Sequence, residues 1–169
     1  TLPPKYYKVL QAKGIKCAAF NPFRPIMSVI MNNRDHRKIF VVDGKVGFTG
    51  GINLADEYIN VASRFGYWKD TGIRLEGEAV WSMTVMFLEM WNYINHSSED
   101  YKQFMPQVYQ KEPFEGDGYV QPYGDTPLDH ETVGENIYLN IINHAERYVY
   151  TYSYTHLRDH ETRSNLVCR

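Results

Sequence analysis

The dipeptide Asp43-Gly44 lies between two runs rich in β-branched and aromatic residues, "RKIFVV" and "KVGFTGG". Both residues tolerate positive φ, so the pair marks a tight hairpin turn. The hairpin constrains the rest of the chain. Two short strands bury nothing unless a helix or further strands cover them.

Coverings are legible on either side. Residues 5–13 read as the end of a helix stopped by Gly14, followed by a short strand "IKCAAF" and a loop "NPFRP". After Asn53 come a short helical turn, "LADEYI", and a strand around "YWKDTGIRLEG". The clearest helix is "EAVWSMTVMFLEMWNYIN", with apolar residues spaced by three and four. Residues 97–118, with Pro106, Pro113, Gly116 and Gly118, form a long connection. "YVQPYG" reads as a strand, then a helix runs through "HETVGENIYLNIINHAER" behind Asp129 as its cap, and "YVYTYSY" reads as a strand. The tetrapeptide "DHET" recurs at 129–132 and 159–162, which reads as two capped helix starts. Alternating strands and helices predict an α/β layered fold with a largely parallel or mixed sheet flanked by helices.

Bulk properties narrow the functional classes. Eighteen Lys and Arg against 20 Asp and Glu leave the 169-residue chain near neutral, which speaks against a broad nucleic-acid-binding surface. Fourteen tyrosines and eight phenylalanines supply core and cleft lining. Cys17 and Cys168 stand far apart without metal-ligand spacing, and read as reduced thiols. No apolar run is long enough to span a membrane, and the N-terminus begins as if in mid-helix, so a soluble piece of a longer chain is expected.

Chemistry concentrates on the hairpin. On an extended strand His36 and Lys38 share a face while Arg37 points away. Histidine is the side chain best suited to nucleophilic or proton-carrying work near neutral pH, and a neighbouring ammonium holds a phosphate oxygen. Gly50 and Gly51 let a backbone approach a ligand closely, and Asn53 stands where a short helix starts, facing an anion with its amide. Taken singly, these are a solvated basic pair, a turn and a helix cap. Their ordered combination points to half of a phosphate cradle with a nucleophile at its centre.

That combination, His36-x-Lys38, then Asp43, then Gly50-Gly51-x-Asn53, resembles the signature of the phospholipase D superfamily. Gly-Gly in place of Gly-Ser within "RDHRKIFVVDGKVGFTGGINLADEY" resembles its bacterial cardiolipin synthase branch, as do "FGYWKDTGIRLEG", "YVQPYGDTPLD" and "IYLNIINHAERYVY" in that order. The resemblance implies a phospholipase-D-like layered sandwich, here partial. Residues 1–96 would end a first half, 97–118 connect, and 119–169 begin a second half. It implies that His36 attacks a phosphodiester and that Lys38 and Asn53, with Gly50 and Gly51, hold its oxygens. Asp43 completes the signature, either touching substrate or anchoring the turn. Asp70 would orient the imidazole, the alternative being an ion pair with Lys69 or Arg74. No cofactor or metal is implied.

By the same resemblance the substrate is a phospholipid at a membrane surface, phosphatidylglycerol, and the product cardiolipin. The full-length protein would sit at the bacterial cell membrane. The remaining histidines, His96, His130, His144, His156 and His160, carry no second His-x-Lys, and Ser153-Tyr154-Thr155 departs from the family pattern. A second motif-bearing half or a homodimer mate is therefore expected, with the isolated chain inactive. A homodimeric phosphodiesterase or nuclease and a non-catalytic lipid-headgroup-binding module are the alternatives.

Overall fold

The computed structural model describes residues 3–20, 35–63, 66–112, 114–115, 118–125 and 131–150. The "NPFRP" loop, Asp129 with its capping role, both "DHET" starts up to His130 and 159–162, residues 151–155, His156, His160 and Cys168 lie outside them. The chain divides into two compact units, Thr1–Glu131 and Thr132–Arg169.

In the first unit, helix α1 (Tyr6–Ala12) ends where the sequence stops it. Gly14 takes φ 81°, its N–H donates to the Gln11 carbonyl at 2.9 Å, and the Ile15 N–H donates to that of Leu10 at 3.1 Å. That pairing satisfies two otherwise orphaned carbonyls, and only a residue at ease with positive φ permits it.

Strands β1 (Phe40–Val42), β2 (Val46–Gly50) and β3 (Gly72–Glu76) form one sheet in that order. Asp43 and Gly44 adopt φ 51° and 66°, and Lys45 N–H donates to the Val42 carbonyl at 3.0 Å, closing the expected turn. Both pairings are antiparallel, with Phe40 opposite Phe48 and Gly47 opposite Leu75. The expected parallel or mixed sheet is corrected here: among the described residues every pairing is antiparallel. A parallel pair needs a crossover element, and the described residues of the β2–β3 connection make only turns and bends. "IKCAAF", "YVQPYG" and residues 148–150 form no ladder among the described residues.

Helix α2 (Ala79–Asn95) packs on all three strands. Its inward residues are Val80, Met83, Thr84 and Leu88, the only buried side chains of that helix and the helical spacing read from the sequence. Gly47 is their seat, since a Cβ there would stand 2.7 Å from Met83 Sδ and 3.5 Å from Val80 Cγ1. The Thr84 hydroxyl donates back to the Val80 carbonyl at 3.0 Å, so its burial leaves no polar group unpaired. The opposite face of the hairpin carries exposed Phe40 and Phe48, with ring centroids 5.9 Å apart. A 3₁₀ helix, Tyr101–Phe104, follows and touches α2.

In the second unit, α3 (Val133–His144) is shorter at both ends than the expected helix. Among the described residues the α/β class holds, as three α-helices and an antiparallel sheet.

Candidate active site at the open end of the hairpin

The strand register decides which residues meet. Phe40 pairs with Phe48, so the chain entering β1 runs beside the chain leaving β2. This end holds His36, Lys38, Gly50, Gly51 and Asn53. Asp43 sits at the closed end, in the turn, and the structure does not bring it to the others.

His36 is exposed and Lys38 half-buried in residues 35–39, which precede the first paired residue instead of continuing the strand. The Lys38 ammonium donates to the His36 carbonyl at 2.6 Å, folding the side chain back along its own backbone. Burial pulls the Lys38 pKa below its usual value, and the charges of Asp35 and Asp70 pull it partly back. The lysine therefore lies within the field of Asp70, a residue distant in sequence.

Asp70 in turn lies against the diglycine. A Cβ added at Gly51 would stand 2.7 Å from both Asp70 carboxylate oxygens. At Gly50 it would stand 2.9 Å from the Thr71 carbonyl and 3.1 Å from Gly72 Cα, its cross-strand partner. The space left open by the two glycines is thus taken, on this side, by protein atoms. The Asp70 carboxylate accepts from Thr71 N–H at 2.7 Å and from the Trp68 indole at 3.3 Å. Among the described residues no hydrogen bond joins it to His36. The alternative ion pair with Lys69 or Arg74 is not made; Arg74 turns to Glu76 instead.

Asn53 donates through Nδ2 to the Tyr58 hydroxyl at 2.6 Å. The short helix expected at Asn53 is corrected to turns over residues 54–60, in which Ala55 N–H bonds to the Asn53 carbonyl and Tyr58 N–H to that of Ala55. No helix N-terminus faces the site there. The reason is local: Asn60, at φ 60°, bonds to Trp68 and turns the chain before a helical ladder propagates.

Two residues flanking the histidine were missed from sequence. The Asp35 carboxylate accepts from the Arg37 backbone N–H, Nε and Nη2, each at 2.9 Å. This forked pair straddles His36 and directs Arg37 away from it, toward Met86 and Gly124. Burial raises the Asp35 pKa, but the hydrogen bonds and charge of Arg37 outweigh it, and the net direction is downward. Its signal was the acid–base pair at spacing two around the histidine in "RDHRK".

Two other histidines lie among the described residues. His96 ends α2 with φ 50°, and His144 Nδ1 lies 2.8 Å from the Asn140 carbonyl in the last turn of α3.

Comparison with known proteins bears on the family. A protein of uncharacterized function from Streptococcus mutans is 55% identical over 89% of this chain. A cardiolipin synthase from Geobacillus thermodenitrificans is 36% identical over 88% of it, and cardiolipin synthase 1 from Bacillus cereus 32% identical over 96%. The chain belongs to the phospholipase D superfamily and is cardiolipin-synthase-like.

This cardiolipin-synthase-like chain spans 32% of the Streptococcus protein's length and 29% and 33% of the two synthases'. No family model matches it, and no solved structure does. Among the described residues, no helix is long and apolar enough to cross a membrane.

Proposed function

We propose that this chain carries one half of a phosphatidyl-transfer site within a phospholipase-D-like sandwich, acting on phosphatidylglycerol to form cardiolipin. In the first step an imidazole nitrogen of His36 attacks the lipid phosphorus. The bond from phosphorus to the glycerol oxygen breaks, and a proton passes to the departing oxygen from an acid of the other half-site. In the second step the hydroxyl of a second phosphatidylglycerol gives up its proton to that group and attacks phosphorus. The phosphorus–nitrogen bond breaks and His36 is restored. Lys38 and Asn53 stabilise charge on the non-bridging oxygens, with Gly50 and Gly51 shaping the turn between them. Asp70 orients the histidine and balances the lysine's charge, and Asp43 holds the hairpin turn.

The observation that carries this reading is the meeting of Lys38, Gly51 and Asp70 at the hairpin end that also bears His36 and Asn53. The surroundings favour a lipid over a nucleic acid. Leu54, Ile59, Val61 and Tyr67 are well exposed in the stretch between Asn53 and Asp70, and Asp56 and Glu57 lie among them. Arg64 and Lys69 balance the two acids in that stretch, so it is apolar and near neutral where a phosphate-backbone groove would be basic. The sequence holds one His-x-Lys motif, so the second catalytic group comes from another half of a longer chain or from a homodimer mate. The full-length protein would then work at the bacterial cell membrane.

The test is conversion of phosphatidylglycerol in vesicles to cardiolipin and glycerol by the full-length protein. Loss of turnover in His36→Ala supports the reading. Headgroup binding without turnover, retained in His36→Ala, would instead identify a binding module. Release of phosphatidic acid alone would identify a phospholipase.

A further inference from the structure

Two side chains, Tyr58 and Trp68, link two candidate site residues by a route the sequence motif does not include. The Asn53 amide donates to the Tyr58 hydroxyl at 2.6 Å. The Tyr58 ring meets that of Trp68 edge-on, with centroids 4.6 Å apart and planes at 68°. The Trp68 indole N–H donates to Asp70 Oδ2 at 3.3 Å. Trp68 is itself fixed at its backbone, because Asn60 Nδ2 donates to its carbonyl at 2.8 Å and its N–H donates to Asn60 Oδ1 at 2.6 Å.

We infer that Tyr58 and Trp68 are positioning residues that join the Asn53 amide and the Asp70 carboxylate into one mechanically coupled unit. The inference rests on the proposed roles of Asn53 at the phosphate oxygens and of Asp70 beside His36 and Lys38, and adds the device that holds them in register. An amide N–H₂ is planar, so donating one hydrogen to Tyr58 fixes the direction of the other. That remaining hydrogen is the one available to a phosphate oxygen. An aromatic edge-to-face pair has a preferred geometry, so displacement of either ring is felt by the other. Asp70 is then held on two sides, by the indole and by Thr71 N–H at 2.7 Å.

Packing alone does not account for the arrangement. Tyr58 and Trp68 are half-buried, whereas Leu54, Ile59, Val61 and Tyr67 in the same stretch are exposed. Among the described residues of the loop, the half-buried aromatic rings of Tyr58 and Trp68 meet the polar groups that flank the diglycine. A site whose supporting contacts are loose by 1 Å loses about 10²-fold in rate, which gives such a device its value.

The test uses Tyr58→Phe and Trp68→Phe, each keeping an aromatic ring while removing the polar contact. In the full-length protein with phosphatidylglycerol vesicles, Tyr58→Phe is expected to lower kcat about tenfold with KM within about twofold and Tm within a few degrees. In the ¹⁵N-labelled 169-residue chain, the Asn53 side-chain resonances are expected to shift in both variants. The shift in Trp68→Phe is the discriminating one, because among the described residues no hydrogen bond joins Trp68 to Asn53, and Tyr58 touches both. Unchanged kcat in Tyr58→Phe, or a loss that follows the unfolded fraction, overturns the inference. So does an Asn53 resonance unmoved by Trp68→Phe. Should the wild-type protein fail to use phosphatidylglycerol, the proposed function falls, and the Asn53 resonances still decide whether the coupling exists.

Discussion

The Asp70 carboxylate occupies the place where residue 51 would carry a Cβ: both of its oxygens lie 2.7 Å from that position at Gly51. A glycine on one strand end therefore sets the position of an acid on the approach to another. Gly51→Ala is expected to push Asp70 out and lower kcat/KM by about 10²-fold, close to 2.7 kcal/mol. Tm should fall by only a few degrees, because Gly51 and Asp70 are both exposed. Steady-state kinetics beside a thermal melt check this.

Lys38 is held against its own ionisation. Its pKa lies below the ordinary 10.5, first through burial, so the unfolded chain binds more protons in the window just below 10.5. Stability therefore rises with pH through that window, and below it the folded state bears the cost of the charged lysine. Lys38→Met is expected to abolish turnover while its Tm at pH 7 equals or exceeds the wild type's. That advantage should shrink as pH approaches 10.5. Melts at several pH values decide it.

Asp35 runs the other way. Its folded pKa lies below 3.8, so its stabilisation is present above 3.8 and is lost as pH falls through the folded value. Asp35→Asn is expected to cost about 1 kcal/mol at pH 7, the worth of a partly exposed charge-assisted pair. The difference from wild type should vanish in acid. Denaturant melts at pH 7 and below pH 3 measure both.

The hairpin turn is a separate matter of backbone strain. Gly44 has φ 66°, and a Cβ there would lie 3.0 Å from the Phe104 carbonyl and 3.1 Å from Pro106 Cδ. Gly44→Ala is expected to destabilise by about 2 kcal/mol, since left-handed backbone and a close contact both oppose it. Activity per folded molecule should persist, because the turn is at the far end of the hairpin.

What the sequence revealed follows from how local each cause is. Asp43-Gly44, Gly14 and the spacing of Val80, Met83, Thr84 and Leu88 are short-range signals, and each produced the expected element. The sheet's direction was misread because strand–helix alternation is silent on whether a connection crosses over. The loop from Asn53 to Trp68 instead folds back on itself through Asn60. His36, Lys38 and Asn53 were readable as a spaced motif. Trp68 and Tyr58 were not, because their contacts join residues whose separations follow no period, whereas the Asp35–Arg37 pair leaves a local signal at spacing two.

The nucleophilic role of His36 is tested most directly by trapping the covalent lipid. The full-length protein would be mixed with phosphatidylglycerol labelled at phosphorus and quenched in alkali, where a phosphorus–nitrogen bond to histidine survives. Label is expected on the peptide containing His36 and none in His36→Ala. Cardiolipin formation with no label at His36, or with turnover preserved in His36→Ala, would contradict it.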